Sequence, residues 1–141
     1  MIKKGRVLAI DYGLKRIGVA LSDESQFLAS ALPVIISQKS LAKDAEAIKD
    51  LFMEKGAKKI VLGLPLHLDG NASELSTLAT NLAKILKEKW EIEVILQDER
   101  LSTKAADSML KEQGFSRKKR KEKIDSSAAC MILQNYLDLQ F

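Results

Sequence analysis

Three acidic positions, far apart in this sequence, lie at predicted strand ends or on a predicted buried helix face, where folding could bring them together. Asp11 ends an apolar run at residues 7–10, and the pair Asp98-Glu99 follows another apolar run at residues 92–96. Asp125 shares one helix face with the residues that follow it at helical spacing, which are Ala128, Ala129, Ile132 and Tyr136. Because sites in open α/β sheets lie outside the carboxyl ends of the strands, we expect these acids to meet at one edge.

Carboxylates that converge need a cation. Two like charges about 4 Å apart repel each other by roughly 4 kcal/mol at the effective dielectric of a protein surface. A hard divalent ion removes that cost, and ligands that are all oxygen suit Mg²⁺ or Mn²⁺ rather than zinc. Metal-assisted hydrolysis of a phosphodiester bond uses such a cluster. The three acidic positions therefore predict a nuclease-type metal site.

Each acid also has a structural interpretation. Asp11 would suit a turn, Asp98 or Glu99 would pair with Arg100, and Asp125 would suit a helix N-cap. Taken singly, these structural roles are the commoner ones. Taken together, the three positions favour a shared site.

The first half of the chain predicts three strands before any helix. Runs at residues 7–10 and 17–21 form a hairpin with Gly13 in its turn, and a third strand covers residues 27–36. Pro33 predicts that this third strand lies at an edge or is interrupted there, because proline cannot donate to the ladder. A helix is then predicted from Ser40 to Gly56.

The second half predicts alternating strands and helices. A strand at residues 59–64 precedes a helix that starts at Asn71 and runs to about residue 90, and a strand follows at residues 92–96. A short helix from Ser102 to near Gly114 precedes a final helix that Asp125 opens. This order predicts an α/β fold with a mixed sheet and helices on both faces.

A basic run lies just before Asp125. Residues 117–123 contain six basic side chains and one acid, and we interpret them as a mobile loop that binds phosphates without taking part in chemistry. The alternative is a merely solvated segment. The residues predicted to contact nucleic acid are Lys15, Arg16, Arg100, Arg117, Lys118, Lys119, Arg120 and Lys121.

The bulk composition fits one ordinary globular domain over residues 1–141. Hydrophobic residues make up 46% of the chain, the formal net charge is +4, and Cys130 is the single cysteine. One cysteine excludes an internal disulfide and favours a reducing compartment. With no apolar run long enough for a signal peptide or a membrane span, we expect a cytoplasmic protein with no membrane partner.

Four motifs, AIDYGLKRIGVALSD, IVLGLPLHLDG, LQDERLST and KIDSSAACMIL, resemble the YqgF family in order and position over nearly the whole chain. That resemblance implies a ribonuclease H-like fold, with a five-stranded mixed sheet in the order 3-2-1-4-5. It also implies that Asp11, Glu99 and Asp125 correspond to the family's acidic triad. His67 departs from the asparagine expected in the second motif, so the role of this side chain stays open.

The resemblance implies a nuclease that matures the 16S rRNA precursor, with Mg²⁺ or Mn²⁺ as cofactor and nucleic acid as partner. Two alternatives stay open: a Holliday junction resolvase acting on branched DNA, and a nucleic-acid-binding module without catalysis. An actin-like ATP-binding protein is a third class, since Asp11-Tyr12-Gly13 resembles its phosphate loop. Such proteins enclose the nucleotide between two domains. A chain of 141 residues supplies only one domain, so we reject this class for a monomer.

Overall fold

The computed structural model describes residues 4–65, 73–98, 111, 112, 114 and 116–139, with the side chains of the last helix described from Ala128 onward. Five strands form one sheet in the order β3-β2-β1-β4-β5. Their bounds are β1 (Arg6–Asp11), β2 (Arg16–Ser22), β3 (Ala29–Ile36), β4 (Ala57–Leu64) and β5 (Val94–Asp98). The mixed α/β fold and the strand order are confirmed.

The sheet is antiparallel on one side of β1 and parallel on the other. β1 pairs antiparallel with β2, and β2 with β3, whereas β1, β4 and β5 all run in the same direction. The carboxyl ends of β1, β4 and β5 therefore lie at one edge of the sheet, which we call the carboxyl edge. β3 is an outer strand, so Pro33 has the edge position expected of it.

Helices cover both faces of the sheet. On one face, α1 (Leu41–Glu54) and α2 (Glu74–Trp90) bury residues such as Ile48 and Leu82 against Leu8 and Ile10 of β1. On the other face, α3 (Arg117–Asp138) packs Ile132 and its neighbours against the alternate β1 residues. Because successive strand residues point to opposite faces, β1 contributes to two separate cores.

The helix ends have local causes. Ser40 caps α1 by accepting a hydrogen bond from the Lys43 backbone N–H at 3.3 Å. Ser73 is the N-cap of α2 and exchanges hydrogen bonds with Ser76. The prediction that Asn71 is the N-cap is therefore wrong. Asn71 itself lies outside the described residues. A serine pair supplies the reciprocal bonds that the pattern assigned to Asn71 and Glu74.

Other predicted elements differ by small amounts. β4 starts two residues earlier than predicted, β5 lies two residues later, and β3 starts at Ala29. Of the predicted helix from Ser102 to Gly114, residues 111 and 112 are helical, Gly114 is a turn residue, and residues 102–110 and 113 lie outside the described part. Among the described residues no helix combines the length and apolar character that a membrane span requires.

Candidate active site

Asp11 is the last residue of β1 and is half-buried at the carboxyl edge. Val7 and Ala9, which precede it on alternate positions, are fully buried on the α3 face. The alternation of the strand therefore assigns Asp11 to the α3 face as well. Its backbone is held in the sheet by pairing with Gly18 of β2 across the hairpin.

The turn that follows Asp11 requires glycine. A Cβ atom added at Gly13 would collide with the backbone carbonyl oxygen of Arg16, an atom that cannot move without breaking the hairpin. Glycine thus permits the close approach of the two strands immediately beyond the carboxylate. The tight turn fixes the direction in which β1 presents Asp11.

A buried hydrogen-bond network anchors the same turn from the other face. The Tyr12 hydroxyl donates to Asp44 Oδ2 at 2.7 Å, and the Ser37 hydroxyl donates to the same oxygen at 2.6 Å. The Gln38 backbone N–H donates to Asp44 Oδ1 at 2.8 Å. Asp44 is fully buried in the first turn of α1, so three donors satisfy an otherwise costly carboxylate.

The network holds Tyr12 in its neutral form. Burial, together with the hydrogen bond to Asp44 and the charge of that carboxylate, raises the pKa of Tyr12 to about 12. Because the folded-state pKa lies above the ordinary value near 10, the stabilisation is complete below pH ~10 and is lost as pH rises through about 12. At neutral pH Tyr12 is therefore a hydrogen-bond donor that positions the turn.

We expect Tyr12→Phe to lower the free energy of unfolding by about 1.5–3 kcal/mol, because it leaves a buried carboxylate short of one donor. Urea unfolding curves measure this change. The matched control is Tyr136→Phe, whose hydroxyl accepts a hydrogen bond from the partly exposed Lys59 ammonium at 3.1 Å. An equal loss in both variants would show that Tyr12 makes no special contribution.

The end of β5 places Gln97 and Asp98 on opposite faces of the sheet. Gln97 Nε2 donates to the backbone carbonyl oxygen of Ile132 in α3 at 2.8 Å, so Gln97 faces α3. Asp98 pairs with Leu64, which packs on the α1 and α2 side, and Asp98 is exposed. Asp98 and Asp11 are therefore on opposite faces of the sheet. Glu99 and Arg100 lie outside the described residues.

Asp125 lies inside α3 rather than at its start, so its predicted opening of the helix is wrong, and so is the N-cap alternative. The expected stripe is confirmed, because Ala128, Ala129, Ile132 and Tyr136 are all buried. α3 runs away from the carboxyl edge: Ile132 meets Gln97 near that edge, whereas Tyr136 meets Lys59 near the opposite one. The backbone of Asp125, about 10 Å before Ile132, therefore lies toward the carboxyl edge.

The basic run is helical, and its prediction as a mobile loop is wrong. Lysine and arginine are good helix formers, and repulsion between solvated charges does not outweigh that propensity. At 3.6 residues per turn, the basic positions of residues 117–123 fall on every side of α3. The first two turns therefore have no apolar stripe with which to pack on the sheet.

Some of the remaining predicted residues lie in the described part of the chain and others lie outside it. Lys15 is exposed and Arg16 half-buried, both beside the turn after Asp11. His67 lies outside the described residues. Among the side chains that the structure describes, no three of His, Cys, Asp or Glu form a group that could hold a metal. Two members of the predicted triad, Glu99 and the Asp125 side chain, are not in that set.

The donor set at this edge suits a hard cation. Asp11 offers carboxylate oxygens from a rigid strand end, and the α3 backbone carries a second aspartate toward the same edge on the same face. Neither the sole histidine nor Cys130, which is half-buried on α3, is needed to complete an all-oxygen site. Such a site is chemically fit for Mg²⁺ or Mn²⁺.

Residues 5–139 match the family model described as RuvX, Holliday junction resolvase. The chain belongs to the RuvX family. RuvX is the group that the four sequence motifs indicated under the name YqgF, so that prediction is confirmed.

RuvX relatives match the chain over almost its whole length. A protein of Bacillus subtilis (strain 168) is 41% identical over 138 residues, covering 94% of this chain and 97% of its own. One from Shouchella clausii is 39% identical over 136 residues, 96% of each chain, and one from Syntrophomonas wolfei is 43% identical over 133 residues, 94% of each. All three are named "Putative pre-16S rRNA nuclease".

The RuvX chain also resembles solved structures of Thermus thermophilus RuvC. RuvC in complex with a Holliday junction substrate superposes with a TM-score of 0.61 at 12% identity, covering 96% of this chain and 95% of the other. A second RuvC structure gives a TM-score of 0.54 at the same identity and coverage. At this identity the likeness shows the fold, and the ribonuclease H-like prediction is confirmed.

Asp44 is a buried residue near the candidate site that the sequence motifs did not reveal. It lies three residues after Leu41 and four before Ile48, two members of the apolar stripe of α1. That spacing assigns it to the buried face, where an acid requires partners. An acidic residue on an apolar helical stripe is the signal that would have identified it.

Proposed function

We propose that this chain is a metal-dependent nuclease that hydrolyses phosphodiester bonds in structured nucleic acid, with the 16S rRNA precursor as its substrate. The observation that carries the proposal is identity near 40% over almost the whole chain to relatives bearing the pre-16S rRNA nuclease name. Asp11 on the α3 face of the carboxyl edge supports it. We further propose that residues 1–141 act as one cytoplasmic domain.

In the proposed mechanism, Asp11, Glu99 and Asp125 would hold a divalent ion. When bound, that ion would supply Lewis-acid chemistry for hydrolysis of the phosphodiester. Asp11 contributes a carboxylate whose position is fixed by the hairpin and by the Tyr12 network beneath it. That rigidity matters because a displacement of about 1 Å at a reacting group costs catalysis heavily.

The basic groups bind the substrate in this mechanism. Lys15, Arg16 and Arg100 lie in or next to segments that follow the carboxyl ends of strands. The first two turns of α3 add positive charge along about 10 Å of helix. These cations attract the phosphate backbone without selecting a base sequence.

The decisive experiment incubates the protein with two labelled substrates, a 16S rRNA precursor carrying its flanking sequence and a four-way DNA junction. Each is tested with Mg²⁺, with Mn²⁺ and with EDTA, and wild type is compared with Asp11→Asn. We expect metal-dependent cleavage of the precursor that Asp11→Asn removes. Binding of both substrates without cleavage under any condition would contradict the nuclease proposal and support a binding module.

A second candidate is resolution of branched DNA. Two observations favour it: the description of the RuvX family and the likeness to RuvC solved with a Holliday junction. The same experiment decides between the candidates, because a resolvase cuts the junction symmetrically and leaves the precursor intact.

The basic run makes a separate prediction. Replacing Lys118, Lys119, Arg120 and Lys121 with glutamine keeps helix propensity and removes four positive charges. Each phosphate contact that is lost flattens the slope of log affinity against log salt by roughly 0.7–0.9. We expect weaker binding and a shallower slope, with little change in the single-turnover rate at saturating substrate.

A salt titration of binding, run beside single-turnover cleavage, tests that prediction. The matched control replaces Lys43, Lys55, Lys87 and Lys89, which lie on α1, just after α1, and on α2. An unchanged slope in the α3 variant would mean that the basic run is merely solvated. A large loss of single-turnover rate would instead place one of its cations at the scissile phosphate.

A further inference from the structure

A pocket opens on the α1 and α2 side of the turn that follows Asp11. It has a volume of about 360 Å³. Its lining comes from the turn, from the loop between β3 and α1, and from the starts of α1 and α2: Tyr12, Leu14, Lys15, Ser37, Lys39, Leu41 and Leu78. We call it the turn pocket.

The lining of the turn pocket is apolar with a cationic rim. Leu14 is 64% exposed, and Leu41 and Leu78 are half-buried, so three leucines face a cavity that water would otherwise fill. Lys15 and Lys39 are both exposed. In the described part of the chain, neither ammonium group has a hydrogen-bond or ion-pair partner. A ligand with a flat apolar body and an anionic group matches this lining.

A larger groove between β3 and α1 provides a contrast. It has a volume of about 700 Å³ and is also mainly apolar, but its charged lining residues are Asp50, Glu54 and Lys55. Two carboxylates against one ammonium group repel a polyanion. The turn pocket has two ammonium groups and no carboxylate in its lining. Charge therefore distinguishes the two cavities as sites for a phosphate-bearing ligand.

The turn pocket adjoins the candidate active site but lies on the other side of the turn. Tyr12 in its wall directly follows Asp11, and consecutive Cα atoms are about 3.8 Å apart. Asp11 belongs to the α3 face, whereas Tyr12 reaches Asp44 of α1 on the opposite face. A nucleic-acid strand that crosses the carboxyl edge with one phosphate at Asp11 would bring a neighbouring nucleotide to the turn pocket.

The pocket is built from fixed parts. Tyr12 and Ser37 both donate to Asp44, which locks the turn and the β3–α1 loop to the start of α1. Lys39 has a left-handed backbone with φ of 55°, and its backbone N–H donates to the Ser37 hydroxyl at 3.2 Å. A site that is ordered before the ligand arrives binds with a smaller entropic cost.

We infer that the turn pocket receives an unpaired nucleotide of the substrate strand next to the scissile phosphate, with its base between the leucines and its phosphate near Lys15 and Lys39. The inference rests on the proposed nuclease function and deepens it. The Ser37 and Tyr12 hydroxyls already donate to Asp44, so the lining offers little with which to read a base edge. The pocket recognises that a base is unpaired and does not recognise which base it is.

An abasic scan tests the inference. A set of RNA substrates is prepared in which one nucleotide at a time, on either side of the cleavage site, lacks its base. In the wild-type protein we expect one position at which loss of the base raises KM by roughly 5- to 10-fold, at the low end of what aromatic stacking provides. Pairing the same nucleotide with a complementary strand should have the same effect as removing its base.

The variant Leu14→Gln/Lys39→Gln should lose that dependence. Both side chains are exposed, so the fold is expected to persist. We expect its KM for the intact substrate to rise to the value for the abasic one, with kcat for both unchanged. The matched control, Leu28→Gln/Lys55→Gln, replaces an exposed leucine and a lysine outside the pocket and should keep the dependence. If no position shows a base effect that the pocket variant removes, the inference is wrong.

Equilibrium binding separates this outcome from failure of the proposed function. Wild type and both variants are titrated with the same substrates in EDTA, where no cleavage occurs. A base effect on Kd that only the pocket variant removes supports the pocket even if the protein cleaves nothing. Its absence overturns the pocket even if metal-dependent cleavage is observed.

Discussion

Asp11→Asn is expected to lower the rate of metal-dependent cleavage by roughly a thousandfold or more, and Asp125→Asn to do the same. Asparagine keeps the size of the side chain but removes the negative charge that a hard cation requires. Several kcal/mol of transition-state stabilisation are lost if the metal is lost, and each 1.36 kcal/mol corresponds to about tenfold in rate. Single-turnover cleavage at saturating Mg²⁺ measures the loss.

Stability measured alongside the rate excludes misfolding as the cause. Removing one charge from a carboxylate cluster relieves repulsion, so the metal-free stability of both variants should be unchanged or slightly higher. Asp50→Asn is the matched control, because Asp50 is exposed on α1 and pairs with its neighbour Lys49 at 2.6 Å. Exposed pairs contribute little, so this variant should keep full activity. Full activity in Asp11→Asn would contradict the triad assignment.

Sequence patterns predicted the strands of the sheet well because their causes are local, whereas the strand order came only from the family resemblance. The apolar runs that became β1, β2 and β4 are bounded by charged, glycine, serine or proline residues, and the carboxyl ends of parallel strands lie at one edge. Asp11 could therefore be assigned to the carboxyl edge without coordinates. Pro33 was assigned to an edge strand for an equally local reason, its missing N–H.

The residue at which α3 begins could not be predicted from the charge pattern of the sequence. A dense basic run has the composition of a solvated loop, yet its residues have high helix propensity, and α3 begins at Arg117. The packing of Ala129 and Ile132 on the sheet anchors the helix further along the chain. Tertiary packing of that kind stabilises a helix whose first turns carry no apolar stripe.

The Tyr12 and Asp44 pair depends on contact across the fold, and their separation of 32 residues left no local pattern linking them. The choice between Asp98 and Glu99 had the same difficulty. Alternation predicts opposite faces for two successive residues, but only a contact outside the strand shows which face is which. The hydrogen bond from Gln97 to Ile132 of α3 supplies that contact.

We predict that Glu99→Gln abolishes metal-dependent cleavage and that Asp98→Asn leaves it within about threefold of wild type. Gln97 faces α3, as Asp11 does, whereas Asp98 is exposed and belongs to the side of α1 and α2. If side chains continue to alternate between the two faces for one residue past Asp98, Glu99 is the acid on the same face as Asp11. β1 and β5 are two strands apart, about 10 Å, so the longer glutamate side chain also suits the span.

The two variants are each other's control, since they remove one charge from adjacent positions of the same segment. Their substrate binding in EDTA should be equal, which isolates the metal-dependent step from any change in the local field. Titration with Mn²⁺ should show a weakened apparent metal affinity in Glu99→Gln and an unchanged one in Asp98→Asn. If Asp98→Asn inactivates the protein while Glu99→Gln does not, the ligand is Asp98. In that case β5 must twist beyond Gln97, because the pairing of Asp98 with Leu64 directs it away from α3.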